Sequence, residues 1–110
     1  MKSTFCLACF TLLNISLLAT PNGIEHHEDI SLSLFAKEPM IIDPVAMTFT
    51  ANGDAFVVEM RDYPYGIDGK GKPGGTIKLL RDKNNDGIAD ESHTFAENLS
   101  FPTSVMAWRS

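Results

Sequence analysis

The sequence VAMTFTANGDAFVVEMR occupies residues 45–61 and has the pattern of a β-hairpin. Two runs rich in β-branched and aromatic residues, 45–50 and 55–61, flank the dipeptide Asn52-Gly53. Asn-Gly favours a tight hairpin turn, because glycine adopts positive φ angles without a steric penalty. These residues therefore predict two antiparallel strands joined by a short turn.

Further segments along the chain also predict strands. Residues 76–81 and 91–96 flank a turn at 82–90, and the alternation of apolar and polar residues over 30–35 predicts a strand before the hairpin. A glycine-rich loop at 62–75 separates the hairpin from the later strands. Because no stretch keeps the period of a helix, the sequence predicts an all-β fold, an antiparallel four-stranded meander.

A meander of this size corresponds to one blade of a β-propeller. The run after Pro102 repeats the run after Pro44, since in both a proline precedes an apolar stretch that ends in an aromatic residue. A propeller needs about 4–8 blades, so we predict a fragment of a longer protein. Residues 24–42 would form a leader and first strand, and 43–110 the first blade and the start of the second. The alternative is a small free-standing β-domain.

The amino terminus has the pattern of an export signal. Lys2 precedes an apolar stretch, 5–19, which is shorter than the roughly 20 residues of a membrane span but fits a signal peptide. We predict a signal peptide over 1–23 and export to the periplasm or cell envelope; an uncleaved membrane anchor is the alternative. Cleavage removes both cysteines, Cys6 and Cys9, so the mature chain would form no disulfide.

Composition narrows the choice of partners. The chain has 110 residues and a formal charge of −5, and this acidic excess argues against nucleic-acid binding, which uses basic patches. Residues 69–74 match G-x-G-x-x-G but precede a β-rich run rather than a helix, so they do not predict a nucleotide site. His26 and His27 lie in the polar leader and are typical of solvated residues.

Residues 82–90, DKNNDGIAD, match the first part of a calcium-binding loop. Calcium prefers several oxygen ligands, and the predicted ligands are the side chains of Asp82, Asn84, Asp86 and Asp90 with the carbonyl of Ile88. His93 stands where such a loop normally has a bidentate Glu. A turn rich in Asp and Asn that needs no ion is therefore an equally good interpretation.

Polar and aromatic residues concentrate where the second strand meets the long loop. In a meander this loop and the connection at 97–101 lie at the same end of the strands, and propellers bind ligands at the mouth of their channel. We therefore predict a substrate or cofactor pocket with the candidates Glu59, Arg61, Asp62 and Tyr63. The structural alternative is a local Glu59–Arg61 ion pair, with Tyr63 covering the core.

The run EMRDYP at 59–64 resembles the opening of the membrane-bound dehydrogenase propellers of planctomycete-type bacteria. The resemblance covers about 43–110, and its other positions are Asp43-Pro44-Val45-Ala46, Gly53, Val57-Val58, Gly66, Asp68-Gly69, Gly71, Gly74-Gly75, Ile77, Asp82, Asp86-Gly87, Asp90, Phe101-Pro102 and Trp108. That family is similar to the quinoprotein sugar dehydrogenases and sorbosone dehydrogenases. Its larger members append helical repeats and a haem domain.

The resemblance implies an exported oxidoreductase that acts on sugars or sugar alcohols, with calcium and, in the full-length protein, pyrroloquinoline quinone. In that chemistry the quinone accepts a hydride and a His base takes the hydroxyl proton. The histidines outside the signal, His26, His27 and His93, do not lie in the long loop, so the base would come from another blade, and no catalytic residue is assigned here.

The resemblance also implies partners. These are a carbohydrate or other small-molecule ligand, the remaining propeller blades, and a membrane reached through regions outside this chain. The alternative function is a non-catalytic propeller that binds carbohydrate or protein. A catalytic histidine and a haem motif in later sequence would favour the dehydrogenase.

Overall fold

The structure, a computed structural model, describes residues 23–108, and the predicted signal peptide over 1–23 falls outside this range except for Gly23. One antiparallel sheet contains four strands in the order β1-β2-β3-β4: β1 (Pro44–Phe49), β2 (Ala55–Glu59), β3 (Gly75–Arg81) and β4 (Glu91–Leu99). The predicted all-β meander is confirmed. Over 23–108 no helix has the length and apolar character needed to cross a membrane.

The predicted hairpin forms at β1 and β2, and Phe49 pairs with Ala55 beside its turn. The peptide N–H of Gly53 donates to the carbonyl of Thr50 at 3.1 Å, and the N–H of Thr50 donates to the carbonyl of Asp54 at 2.8 Å. Gly53 has a φ of 90°, the left-handed conformation for which glycine is suited. The Asn-Gly signal thus fixed the position of the turn.

β4 continues beyond its predicted end at residue 96. Lys78 of β3 faces Thr94 of β4. The preceding residue of β3, Ile77, faces Ala96, which leaves Phe95 as an extra residue in β4. An extra residue of this kind is a β-bulge, which bends the strand and changes the direction of its side chains. A second irregularity follows between Ile77 and Gly75, and Gly75 pairs with Leu99, the last residue of β4.

The strand predicted over 30–35 was wrong, since residues 24–43 form no strand. Ile30 and Leu34, two of the apolar residues in the alternating pattern, are exposed, so the pattern does not define a buried face. Residues 35–43, here called the strap, instead cross one face of the sheet. The carbonyl of Phe35 accepts the N–H of Ala89 at 2.8 Å, so the strap is hydrogen-bonded to the turn that precedes β4.

The core lies between the strap and the sheet. Four strap side chains pack against a buried cluster, Ala55, Val57, Leu80 and Ala89; these four are Phe35, Ala36, Met40 and Ile41. The Phe35 ring meets the Phe49 ring edge-on, with centroids 5.8 Å apart. Two charged side chains, Glu59 and Asp62, are also buried. Both lie where β2 passes into the long loop.

The opposite face of the sheet carries a second apolar surface. Phe56 and the bulge residue Phe95 meet edge-on, with ring centroids 4.8 Å apart, and Phe95 remains largely exposed. Residues 105–108 border a groove over these rings. The repeat predicted to start at Pro102 forms no strand within the described residues 102–108.

Candidate functional site

The loop between β2 and β3, residues 60–74, is here called the rim loop. It leaves the sheet beside the strap and beside the chain that follows β4. The N–H of Met60 donates to the carbonyl of Asp43 at 3.2 Å, and the N–H of Phe101 donates to Oδ2 of Asp62 at 3.0 Å. The prediction that the long loop and the connection after β4 lie at the same end of the strands is confirmed.

Glu59, at the end of β2, is fully buried and holds three elements together. Its Oε1 accepts the N–H of Ile42 in the strap at 2.8 Å. Its Oε2 accepts the hydroxyl of Thr76 in β3 and lies 3.9 Å from Nη1 of Arg61. A buried carboxylate is stable only when its oxygens are paired, and here both are. Glu59 therefore anchors the start of the rim loop from beneath.

Asp62, the third residue of the rim loop, is 1% exposed. Burial alone would raise its pKa, but peptide N–H groups of Phe101, Asp62 itself, Gly74 and Gly75 outweigh burial, and the net pKa is lowered. Only the Phe101 N–H has the distance and angle of a full hydrogen bond, so Oδ1 is left without a close partner among the described residues. The nearby peptide N–H groups thus favour the ionised form of this buried carboxylate.

Arg61 and the tyrosines of the rim loop point outward. Tyr63 and Tyr65 are each 72% exposed, and the Arg61 side chain is about two-fifths exposed. Tyr63 meets the ring of Phe101 edge-on, with centroids 6.3 Å apart. Tyr63 therefore does not cover the core, whereas the predicted proximity of Arg61 to Glu59 is observed.

The middle of the rim loop is closed by its own backbone. The N–H of Gly66 donates to the carbonyl of Asp62 at 2.6 Å, and the N–H of Gly71 donates to the carbonyl of Tyr65 at 2.7 Å. The N–H of Ile67 donates to the carbonyl of Lys72 at 3.0 Å. These bonds fold the loop back on itself, so its exposed side chains project from a fixed frame.

Asp68 fixes the tip of the rim loop. Its Oδ1 accepts the peptide N–H groups of Lys70, at 2.8 Å, and Lys72, at 3.0 Å. Hydrogen bonds from the N–H groups of Lys72 and Lys70 lower the pKa of Asp68, with a smaller contribution from the Lys72 charge. This carboxylate is therefore turned toward its own backbone.

The predicted calcium loop at 82–90 is held by similar side-chain to backbone bonds. Asp82 accepts the N–H groups of Asp86, at 3.3 Å, and Gly87, at 2.8 Å. Asp86 Oδ1 accepts the N–H of Ile88 at 2.8 Å, and Asn84 Oδ1 accepts the N–H of Asp86 at 3.0 Å. Turns of this type form without an ion.

The donor types in this loop suit calcium, but their arrangement is that of a self-supporting turn. Oδ2 of Asp90 accepts the N–H of Lys83 at 2.7 Å, so this predicted ligand is also hydrogen-bonded to the backbone. Within residues 23–108 no three His, Cys, Asp or Glu side chains are grouped to hold a metal ion. Ionised carboxylates keep further lone pairs, so an ion would have to draw these side chains inward. Calcium binding stays a prediction.

The sequence predicted which residues gather at the site, but not which of them are buried anchors and which are exposed. Glu59 and Asp62 are buried and bind backbone and side-chain donors, whereas Arg61 and Tyr63 are open to solvent. Tyr65 was missed, although the exposed ring stands in the same Tyr-Pro-Tyr run. Thr76 was also missed, because its role depends on a partner seventeen positions away in the sequence.

The chain matches the model of a protein family over most of its length. The family model described as a domain of unknown function, DUF7133, matches residues 19–110. No curated protein matches the chain, and no solved structure matches it either.

Proposed function

The chain belongs to the DUF7133 family, and we propose that it is the first blade of an exported β-propeller whose rim loop borders the ligand site. The observation that supports this most is the arrangement of the rim loop. Two buried carboxylates, Glu59 and Asp62, fix its base, while Arg61, Tyr63 and Tyr65 face outward. A rigid frame that exposes aromatic and cationic groups suits ligand binding better than it suits stability.

The ligand we propose is a sugar or sugar alcohol. Exposed tyrosine rings offer flat apolar faces that cover the C–H faces of a sugar ring, and their hydroxyls exchange hydrogen bonds with sugar hydroxyls. Arg61 adds several N–H donors, and the buried Glu59 carboxylate 3.9 Å away helps to orient its guanidinium. In this proposal the chain binds and orients the ligand.

The reaction we propose for the full-length protein is dehydrogenation, on the strength of the family resemblance. Bound pyrroloquinoline quinone would supply the hydride acceptor. In this proposal Arg61 and the tyrosines of the rim loop bind the sugar, and the loop contains no histidine. The quinone site and the base would therefore lie on other blades.

The proposal also includes calcium at 82–90 and export of the protein to the periplasm or cell envelope. The loop supports calcium through its oxygen donors Asp82, Asn84, Asp86 and Asp90, and the apolar run near Lys2 supports export. Amino-terminal sequencing of the mature protein should find a start between residues 20 and 25. A cytoplasmic protein that retains Met1 would overturn export.

The remaining blades would complete the fold. The apolar surface at Phe56 and Phe95 and the exposed apolar side chains of β1 are the surfaces on which neighbouring blades would pack. In this assembly the rim loop would stand at one opening of the propeller. Contact with a membrane would be made by regions outside this chain.

Activity of the full-length natural protein tests the proposal. We expect sugar-dependent reduction of dichlorophenolindophenol once pyrroloquinoline quinone and calcium are supplied. Tyr65→Ala should raise KM, and Tyr65→Phe, which keeps the ring and removes only the hydroxyl, should raise it less. Absence of turnover together with measurable sugar binding would favour the alternative, a non-catalytic carbohydrate-binding propeller, which the exposed tyrosines support equally.

A further inference from the structure

The rim loop has the opposite charge balance to the rest of the protein. It carries three cations, Arg61, Lys70 and Lys72, against two carboxylates, Asp62 and Asp68. Elsewhere in residues 23–108, twelve acidic residues stand against four basic ones. A positive segment on an acidic protein creates a local potential that attracts anions, and the surrounding acidic surface repels those that approach elsewhere.

Of the two carboxylates of the rim loop, one is buried and the other lies at the surface. Asp62 is buried among peptide N–H groups, and Asp68 accepts the N–H groups of Lys70 and Lys72. The cationic side chains are exposed as well, since Lys70 and Lys72 lie on the surface and Arg61 is about two-fifths exposed. The charged groups that a ligand meets at the surface are therefore three cations and one carboxylate, beside the two tyrosine rings.

The same loop is organised before any ligand arrives. Tyr65 and Lys72 lie on opposite arms of the folded loop, and each arm is bonded to the other through backbone groups. Gly66 has a φ of 79°, and a Cβ there would overlap the backbone of Gly71 and Lys72, so the two arms are in close contact. A ligand that bridges the tyrosines and lysines would therefore lose little affinity to ordering of the loop.

From this arrangement we infer that the ligand of the rim loop is an anionic saccharide, one whose rings carry carboxylate or sulfate groups. This inference rests on the proposed function, because it names the substrate class of the same site. Tyr63 and Tyr65 would cover sugar rings, as a neutral sugar also requires. Arg61, Lys70 and Lys72 add a need for negative charge that a neutral sugar does not meet, and Arg61 can bind such groups with two parallel N–H donors.

Three polymers with one backbone provide the probes: dextran, carboxymethyl-dextran and dextran sulfate. Binding to the full-length natural protein is measured by calorimetry at low ionic strength, where surface charge is least screened. We expect carboxymethyl-dextran, dextran sulfate or both to bind more tightly than dextran, with affinity falling as salt is added. The stronger of the two identifies carboxylate or sulfate as the preferred group.

Substitutions distinguish a specific saccharide site in the rim loop from non-specific attraction of polyanions to positive charge. Lys70→Ala/Lys72→Ala should weaken binding of the charged polymer about fivefold or more, as expected for two exposed ion pairs. The matched control Lys37→Ala/Lys78→Ala removes the same charge outside the rim loop and outside the predicted calcium loop, and should leave binding nearly unchanged. Tyr65→Ala should weaken binding of the charged dextran but not of poly-glutamate, which carries charge without sugar rings.

The remaining outcomes would contradict the anionic class of the ligand, the saccharide itself or the proposed function. Equal affinity for dextran and its charged forms would overturn the anionic class and keep saccharide binding. Binding of poly-glutamate as tight as that of the charged dextrans, with no effect of Tyr65→Ala, would mean a simple polyanion patch and overturn the inference. Absence of binding to all three dextrans, together with absence of sugar oxidation, would overturn the proposed function as well.

Discussion

Oδ2 of Asp62 accepts a hydrogen bond of 3.0 Å from the peptide N–H of Phe101, which lies 39 positions further along the sequence. Phe101 has a φ of 47°, an uncommon left-handed conformation for an aromatic residue. Such a conformation persists only where the surroundings hold it. Asp62 therefore fixes two segments at once, the rim loop and the chain that leaves β4.

Asp62 should make the stability of the protein depend on acid pH. Its pKa is lowered in the folded state, so its stabilising contribution is fully present above the unfolded value of about 3.9 and is lost as pH falls through the folded value. Thermal melting of the full-length protein should show a decline of Tm below about pH 4. Asp62→Asn should lower Tm at neutral pH and make that decline shallower, whereas exposed Glu97→Gln should do neither.

Substitution of Glu59, at the end of β2, should lower the stability of the protein more than substitution of any residue in the rim loop. Glu59→Ala leaves the N–H of Ile42 and the hydroxyl of Thr76 without their buried acceptor. We expect a loss of about 2–4 kcal/mol in the free energy of unfolding, because each unsatisfied buried group costs about 1–3 kcal/mol. Glu59→Gln keeps the size and one acceptor oxygen and should lose less. Urea denaturation of both variants measures the difference. Equal losses would contradict this expectation and would mean that the second acceptor oxygen or the charge of the carboxylate, rather than the size of the side chain, is responsible.

Gly66 and Gly53 form a matched pair of glycines with positive φ angles, of 79° and 90°. A Cβ at Gly66 would overlap the backbone of Gly71 and Lys72, whereas at Gly53 nothing lies within 4 Å. Gly53→Ala should destabilise by about 1 kcal/mol through its φ angle alone. Gly66→Ala should add a steric penalty and open the rim loop.

Hydrogen exchange distinguishes these two effects. Faster exchange at the N–H groups of Ile67 and Gly71 is expected in Gly66→Ala but not in Gly53→Ala, since these groups bond across the arms of the rim loop. Unchanged exchange in both variants would show that the loop accommodates the methyl group, contrary to the close contact seen between its arms.

Calcium should raise the Tm of the full-length protein if it binds at 82–90, because a ligand that binds only the folded state stabilises it. Asp86→Ala should abolish that shift. Since Asp86 also accepts the N–H of Ile88, Asp86→Asn is the better control: it keeps an acceptor for the turn and removes the charge. A Tm that calcium leaves unchanged in the natural protein would reduce the loop to an ordinary turn.

Local patterns in the sequence predicted the fold correctly. Contacts between residues far apart in the chain could not be predicted from such patterns. Asn52-Gly53 and the apolar runs on either side placed the hairpin correctly, because turn and strand preferences act over a few residues. The alternation at Ile30 and Leu34 led to the wrong prediction of a strand, because alternation indicates a strand only where one face is buried, and both residues are exposed. No local pattern could show that residues after 34 cross the sheet as a strap.

The prediction of the site was likewise correct where it rested on local patterns in the sequence. The sequence marked the right loop because charged and aromatic residues gather there, but burial decided their roles. Glu59 accepts hydrogen bonds from Ile42 and Thr76, and Asp62 accepts one from Phe101. These contacts join residues that are at least 17 positions apart, so spacing alone could not separate the anchoring carboxylates from the exposed groups.

The exposed edge strand β1 should cause residues 24–110 to self-associate when they are expressed alone. This strand lies at the edge of the sheet, and Val45, Met47 and Phe49 on it are each about half exposed. An unpaired edge with apolar side chains is a template for pairing with another chain. We therefore expect oligomers, aggregates or partial order in sedimentation and thermal melting, and no dehydrogenase activity. Met47→Lys should reduce self-association, whereas Ala51→Lys in the adjacent turn should not. A monodisperse natural segment with a sharp cooperative melt would instead establish a free-standing β-domain, since a blade that needs neighbours would not behave in that way.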